Sequence, residues 1–211
     1  MATTPITRPD PDTARLPLSS HAGALTVATG AYLALTHLAL LFVLDRSDLE
    51  GTVGNPVYQV ISVAYAAAFP VLIITAFALY ELHARRAGTW GIVGICGAVV
   101  GTFAMGADMW FEGFAVPWIV DVAPEILDAD KSGGWTVGYL SAFVLFAAGW
   151  VLFGFAGLRG GVLPRAPSIG IMGAGLIGFM AASPPYAVPL GLALVWMGLR
   201  LTRQPARRSA G

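Results

Sequence analysis

The sequence predicts an all-α integral membrane protein, a bundle of six transmembrane helices whose last two form a short hairpin. Of its 211 residues, 56% are hydrophobic and only 11% are charged, whereas a soluble domain carries about 25% charged residues. The hydrophobic residues also come in long blocks, a pattern typical of chains that cross a bilayer several times. We therefore expect a transmembrane domain over 21–202, preceded by a disordered cytoplasmic N-terminus (1–20) and followed by a basic cytoplasmic tail (203–211).

The first 20 residues hold four prolines, two Asp and two Arg, a composition that favours disorder. Because this charged, Pro-rich stretch precedes the first apolar block, no cleaved signal peptide is expected. The single cysteine, Cys96, excludes a disulfide framework and a CxxC metal site. Its position within an apolar block predicts a small core residue.

The apolar residues fall into six segments: 23–44, 57–80, 89–120, 135–157, 166–182 and 185–201. Pro70 predicts a kink in the second segment. The last two segments are close to the lower limit of about 17 residues for a helix that crosses a membrane. Because Ser183-Pro184-Pro185 joins them, they predict a tight helical hairpin.

The distribution of charge predicts the orientation of the chain in the cell membrane. Of the 12 Lys and Arg residues, all but Arg46 and Lys131 lie on one side of the segments. The positive-inside rule places that side, with both termini, in the cytoplasm. The outer loops hold seven acids: Asp45, Asp48, Glu50, Asp121, Glu125, Asp128 and Asp130. The chain lacks a soluble basic face, which argues against nucleic-acid binding and leaves the lipid bilayer as the expected surrounding.

Two carboxyl groups, Asp108 and Glu112, interrupt the apolar third segment within MGADMWFEGFAVPW (105–118). Counted from Thr89 at about 1.5 Å per residue, they lie about 28 Å and about 34 Å along the helix. This is near the outer edge of a hydrocarbon core about 30 Å thick. One interpretation is therefore a pair of interfacial carboxylates that contact external water and have no further task.

Helical phase favours a second interpretation, in which the acids point into the bundle. At about 100° per residue, both acids lie within roughly 60° of a glycine stripe with a GxxxG pattern, Gly94, Gly97 and Gly101. Three aromatic residues lie on the opposite side and are expected to contact lipid: Phe103, Trp110 and Phe114. An ionisable residue on the packed face of a transmembrane helix marks a candidate functional site.

The fourth segment carries an aromatic stripe within roughly 80° of helical phase: Trp135, Tyr139, Phe143, Phe146, Trp150 and Phe153. Large rings can pack into the groove that small residues leave, so this segment is expected to lie against the third. Trp135 and Tyr139 would then lie near the acids. The alternative is that the stripe faces lipid, with Trp135 and Trp150 in the aromatic belts of the membrane.

Other polar groups on the outer half complete the candidate substrate-binding set, which is Tyr58, Trp135, Tyr139, Phe143, Phe146 and His37. A lone histidine is more often a hydrogen-bonded packing residue than a ligand, so a structural role for His37 stays open. His21 and His83 lie at the cytoplasmic edge, so the histidines cannot converge on one metal. We expect no metal and no cofactor.

Asp108 and Glu112 are the candidate catalytic residues. Of two adjacent buried carboxyl groups, one can stay protonated at neutral pH and act as a general acid, and which of the two does so stays open. Aromatic faces stabilise nearby cations. These groups together suit protonation of an alkene or epoxide and control of the resulting carbocation, which is the chemistry of acid-initiated terpene cyclisation. A small proton-coupled transporter and a non-catalytic membrane scaffold or subunit are the alternatives.

The chain resembles a set of small actinobacterial-type polytopic membrane proteins over most of 23–201. The resemblance rests on WFEGFAVPW (110–118) with its acidic outer loop, on LRGGVLPRAPSIGIMGA (158–174) and on the Pro-rich final hairpin. Proteins of similar size and topology resemble membrane-bound (mero)terpenoid cyclases of drimentine-type pathways. The resemblance implies an isomerase acting on a lipophilic substrate, a prenylated indole or diketopiperazine. Fungal membrane cyclases place a Glu directly after a Trp, whereas here Phe111 separates Glu112 from Trp110.

Overall fold

The computed structural model describes residues 18–126, 129–130 and 132–203. All regular structure in this part of the chain is helical, which confirms the predicted all-α class. Its elements are α1 (Leu18–Val43), α2 (Leu49–Gly54), α3 (Pro56–Trp110), a π-helical turn (Phe111–Ala115), α4 (Val116–Val122), a 3-10 turn (Pro124–Ile126), α5 (Gly133–Gly160), α6 (Arg165–Ile177), a second 3-10 turn (Gly178–Met180) and α7 (Val188–Arg203).

The predicted terminal segments are described only in part. Residues 18–20 belong to α1, and Arg203 ends α7. The rest of the predicted disordered N-terminus (1–17) and of the predicted basic tail (204–211) lies outside the described residues, as do Asp128 and Lys131 of the predicted outer loop.

Three helical stretches of the described chain are long and apolar enough to cross a membrane: Leu18–Val43, the run Pro56–Val122 and Gly133–Gly160. Large hydrophobic side chains are exposed on the outside of these helices, among them Phe42, Phe103 and Trp118. Such a surface is compatible with a membrane protein, because lipid tails rather than water would contact it.

The longest helix, α3, reverses direction at Gly88, whose φ of 55° and ψ of −140° depart from helical values. Glycine adopts a positive φ without a Cβ clash, so the chain folds into two antiparallel arms, arm A (56–87) and arm B (89–110). Gly106 of arm B lies against the ring of Phe69 in arm A. Pro70, at which the sequence predicts a kink, lies inside the helix of arm A, and the break at Gly88 falls between the predicted second and third segments (57–80 and 89–120).

Arm B packs on α5 through the predicted glycine stripe. A Cβ on Gly97 would lie 3.2 Å from the Cα of Gly149, and a Cβ on Gly101 would clash with the carbonyl of Leu145. The two backbones are therefore in direct contact, as expected for small residues at a helix interface. The prediction that the fourth segment lies against the third is confirmed.

The first and last helices also pair through glycines. Gly30 of α1 faces Gly191 of α7, and one end of the same interface brings Gly23 against Gly198. On the other side of the bundle, α6 crosses α5 at Gly154. Close backbone contact thus holds α1 to α7 and α6 to α5, so the short helices pack tightly on the longer ones.

The final two helices, α6 and α7, have 13 and 16 residues and are joined by a turn over 181–187 that contains a cis Pro184–Pro185 bond. Two side chains from other helices bind this turn. The hydroxyl of Tyr65 donates to the carbonyl of Ala181 at 2.7 Å, and Nδ1 of His37 accepts from the N–H of Ala187 at 2.9 Å. Buried backbone groups outside a helix need partners of this kind, because the helix itself does not pair them.

Cys96 is exposed, so the prediction of a core position for it is wrong. The face of arm B that carries the glycine stripe packs on α5. Cys96 lies about 100° around the helix from Gly97, and so it is not on that face. The core instead holds the aromatic stripe of α5, in which Phe146, Trp150 and Phe153 are buried. The indole N–H of Trp150 donates to the hydroxyl of Thr102 at 3.0 Å, so its polar group is satisfied in arm B.

Candidate functional site

Asp108 lies near the C-terminal end of arm B and Glu112 in the π-helical turn that follows it, and both side chains are partly buried. The glycine stripe that precedes them on the helix packs on α5. Tyr139 of α5 lies within electrostatic reach of both carboxyl groups. The two acids therefore stand beside a phenol ring at the interface of arm B and α5.

The π-helical turn Phe111–Ala115 begins immediately before Glu112. In it the N–H of Val116 donates to the carbonyl of Phe111 instead of to that of Glu112. Pro117, which follows, has no N–H and cannot donate to Gly113 as an α-helix requires. The wider turn changes the helical phase after Asp108, and π-helical turns of this kind occur frequently at functional sites.

Arm A supplies the second wall of the site. Tyr58 lies within electrostatic reach of Glu112 and shares a hydrogen bond with Ser62. Gly113 follows Glu112, and a Cβ placed on it would lie 3.5 Å from a methyl group of Val63 in arm A. Glu112 is thus held where the first turns of arm A approach the end of arm B.

The aromatic stripe of α5 extends from the acids into the core. Trp135 is exposed and contacts Phe111 edge to face, with ring centroids 5.4 Å apart. Tyr139 packs on Phe143 at 4.2 Å. The remaining stripe residues are buried, and the alternative that places Trp150 in a lipid-facing belt is wrong, because this ring is 0% exposed.

The predicted wall residues therefore differ in how close they come to the acids. Tyr139 lies in electrostatic reach of both carboxyl groups, and Tyr58 in reach of that of Glu112. Trp135 reaches the same region through Phe111. Phe143 and Phe146 lie deeper: Phe143 contacts Phe179 at 6.0 Å, and Phe146 contacts Phe69 at 6.0 Å.

The carboxyl oxygen Oδ2 of Asp108 is buried and has no hydrogen-bond partner among the described residues. Buried polar atoms in native proteins are almost always satisfied by protein, by water or by a ligand. An ionised carboxylate with such an oxygen would be costly, whereas the neutral acid carries a proton that it can donate. Among the buried side-chain atoms of the predicted site residues, this oxygen and Nε2 of His37 are those without a partner in the described structure.

His37 is completely buried, and its described contacts are structural. Its ring stacks on Tyr65 with centroids 4.6 Å apart and planes 9° apart, while Nδ1 accepts from the N–H of Ala187. Tyr65 was missed as a partner of this histidine. The signal for it was present, since Tyr58, Ser62 and Tyr65 share one face of arm A at helical spacing.

Tyr65→Phe is expected to lower the free energy of unfolding by about 1–3 kcal/mol, because the buried carbonyl of Ala181 would lose its donor. Tyr32→Phe is the matched control. Tyr32 also donates to a carbonyl, that of Ala64 at 2.7 Å, but from an exposed position and to a group inside a helix. Thermal unfolding in detergent should show a clear loss for Tyr65→Phe and a small one for Tyr32→Phe; equal losses would contradict the role of Tyr65 in the turn.

The site as described holds two carboxyl groups, with Tyr139 in electrostatic reach of both and Tyr58 in reach of Glu112. In the described part of the chain, no three His, Cys, Asp or Glu side chains come together to hold a metal ion. The arrangement can donate or accept protons next to aromatic faces. Comparisons of the chain with protein-family models, with curated proteins and with solved structures find no significant match.

Proposed function

We propose that this protein is an integral membrane terpene cyclase that protonates a prenyl chain and so starts its cyclisation. The observation that carries the proposal is the buried, unpartnered oxygen of Asp108, which lies on the same helix end as Glu112 and in reach of Tyr139. A neutral carboxyl group beside a second carboxyl group is the arrangement that general acids use at neutral pH.

In the proposed reaction, one of the two carboxylic acids transfers its proton to a carbon of a C=C bond in the prenyl chain. The electron pair of that bond forms the new C–H bond, and a carbocation remains. An internal C=C bond attacks the cation and closes the ring, and the final cation loses a proton to the carboxylate. The acid is thereby restored, and substrate and product are isomers.

The two tyrosines have a separate role in the proposal. Tyr139 on α5 lies in electrostatic reach of both acids, and Tyr58 on arm A in reach of Glu112. The π face of an aromatic ring attracts a cation, and an uncharged ring loses little hydration when it is buried. They would hold the cation while the ring closes, and the apolar rings of Phe111 and Trp135 would keep water away from it.

The proposal includes a topology of six membrane-crossing segments: α1, arm A, arm B, α5, α6 and α7. The arrangement of basic residues supports it, with both termini on the cytoplasmic side. In this topology the acids lie in the outer half of the membrane. A lipophilic substrate, such as a prenylated indole or diketopiperazine, would reach them through the lipid.

The proposal is tested by supplying membranes that contain the full chain with a prenylated indole or diketopiperazine in H2O and in D2O. We expect a product with the mass of the substrate in H2O and with one carbon-bound deuterium more in D2O, detected by liquid chromatography and mass spectrometry. Membranes without the protein are the control. Absence of any isomeric product across a set of prenylated substrates would overturn the proposal.

A proton-coupled carrier is the second candidate, and the π-helical turn beside the acids favours it. Transporters often interrupt a membrane helix at the substrate site, where the freed backbone groups bind the cargo. Uptake into vesicles driven by a pH gradient, and lost in Asp108→Asn, would support this function over the cyclase.

A further inference from the structure

At the opposite end of the bundle from the acids, a cavity of about 350 Å³ lies between the start of α6 and the end of α7. Its size falls within the range of roughly 300–1,000 Å³ that is typical of small-molecule sites. Six residues line it: Pro164, Arg165, Ala166, Pro167, Arg200 and Arg203. Three of these six residues are arginines, and none is acidic.

The chemistry of the lining selects an anion. The arginines come from two helices, Arg165 from the first turn of α6 and Arg200 with Arg203 from the last turn of α7. All three are exposed and line the same cavity, and planar guanidinium groups bind phosphate with paired, charge-assisted hydrogen bonds. The N-terminus of α6 adds to this, because Pro164 provides no side-chain cap and the first N–H groups of a helix have no acceptor within it.

The surface next to the cavity is apolar. Ile169 of α6 and Trp196 and Leu199 of α7 are exposed within the two turns that follow the arginines towards the middle of the bundle. The ring of Trp196 lies 3.5 Å from the position of a Cβ on Gly170, and Gly173 has open space around it. The charged cavity thus borders a strip of exposed apolar side chains, Ile169, Trp196 and Leu199, which is called the apolar groove below.

We propose that this cavity binds the phosphate group of an anionic glycerophospholipid, whose acyl chains lie along the groove of α6 and α7. The group that the cavity would recognise is an anionic phosphate, which a soluble phosphate ester could also supply. The apolar groove selects the lipid. Basic pockets between helices at the cytoplasmic face are suited to such headgroups, and the site stands independently of the proposed cyclase.

The test is native mass spectrometry of the full chain purified in detergent, titrated with phosphatidylglycerol. The variant Arg165→Gln with Arg200→Gln removes two charges from the cavity. The matched control, Arg86→Gln with Arg159→Gln, removes two exposed charges from the same end of the bundle. We expect the cavity variant to raise the Kd for phosphatidylglycerol about tenfold or more, because two guanidinium groups that would hydrogen-bond the phosphate are lost. The control should change it less than twofold.

Two further arms identify the ligand. Phosphatidylcholine with the same acyl chains should bind at least tenfold more weakly than phosphatidylglycerol, and glycerol 3-phosphate should compete only at much higher concentration. Equal loss in the cavity variant and the control would overturn the site. Equal binding of glycerol 3-phosphate and the lipid would overturn the lipid assignment. If the cavity variant fails to assemble, Arg165→Lys with Arg200→Lys replaces it. This variant keeps both charges but cannot form paired hydrogen bonds to a phosphate, so its Kd for phosphatidylglycerol should be higher than that of wild type. An unchanged Kd would contradict the proposed role of the arginines.

Discussion

Asp108→Asn and Glu112→Gln are each expected to lower the rate of product formation by about 10²–10⁴-fold, the contribution that a positioned general acid makes. Neither amide can donate an acidic proton, while both keep the size and the hydrogen-bonding capacity of the acid. Because the two carboxyl groups act as one unit in the proposed mechanism, the double variant should lose little more than the worse single variant. The measurement is initial rate of isomer formation in membranes at matched protein levels.

Asp121→Asn and Glu125→Gln are the controls for this prediction. Asp121 lies in α4 and Glu125 in the 3-10 turn, just after the site in the chain. Both side chains are exposed, whereas Asp108 and Glu112 are partly buried. They should retain full activity. Full activity in both Asp108→Asn and Glu112→Gln would rule out the acid roles, provided that thermal unfolding shows all four variants to be folded.

Gly149→Ala is expected to destabilise the protein by about 1–3 kcal/mol, the usual cost of forcing extra atoms into a packed interface. A Cβ at this position would clash with the carbonyl of Gly97 and lie 2.9 Å from the backbone N of Ala98. Backbone cannot move aside as a flexible side chain can, so arm B and α5 must separate. The expected readout is a lower midpoint of thermal unfolding in detergent.

Gly138→Ala is the matched control in the same helix. No atom lies within 4 Å of a Cβ at that position, and alanine favours the helix over glycine by about 0.5–1 kcal/mol. This variant should therefore be as stable as wild type or slightly more so. A Gly149→Ala protein with unchanged stability would show that the contact between arm B and α5 does not limit the stability of the bundle.

The sequence was sufficient for those features that depend on helical phase. The glycine stripe of arm B predicts which face meets α5, and the acids follow because they share its phase. The same reasoning identifies the buried face of α5. It failed for Cys96, since an apolar block on its own does not distinguish the packed face from the opposite one. The break in α3 at Gly88 lies between the predicted second and third segments (57–80 and 89–120).

Other features depend on contacts between distant parts of the chain, which local patterns do not encode. The bond from Ala187 to His37 joins residues 150 positions apart, and that from Tyr65 to Ala181 joins residues 116 apart. The π-helical turn at Glu112 arises from an adjustment of backbone hydrogen bonding. Pro117 is its only local signal, and a proline at that spacing is equally compatible with an ordinary helix start.

The pairing of α1 with α7 has a consequence for biosynthesis. The glycine partners of α1, Gly191 and Gly198, lie in α7, which is translated long after α1. Arm A, arm B and α5 can assemble before α7 is made, but the face of α1 that carries Gly23 and Gly30 has no partner until α7 is translated. A product truncated before α7 would therefore leave these two glycines without the helix that packs on them.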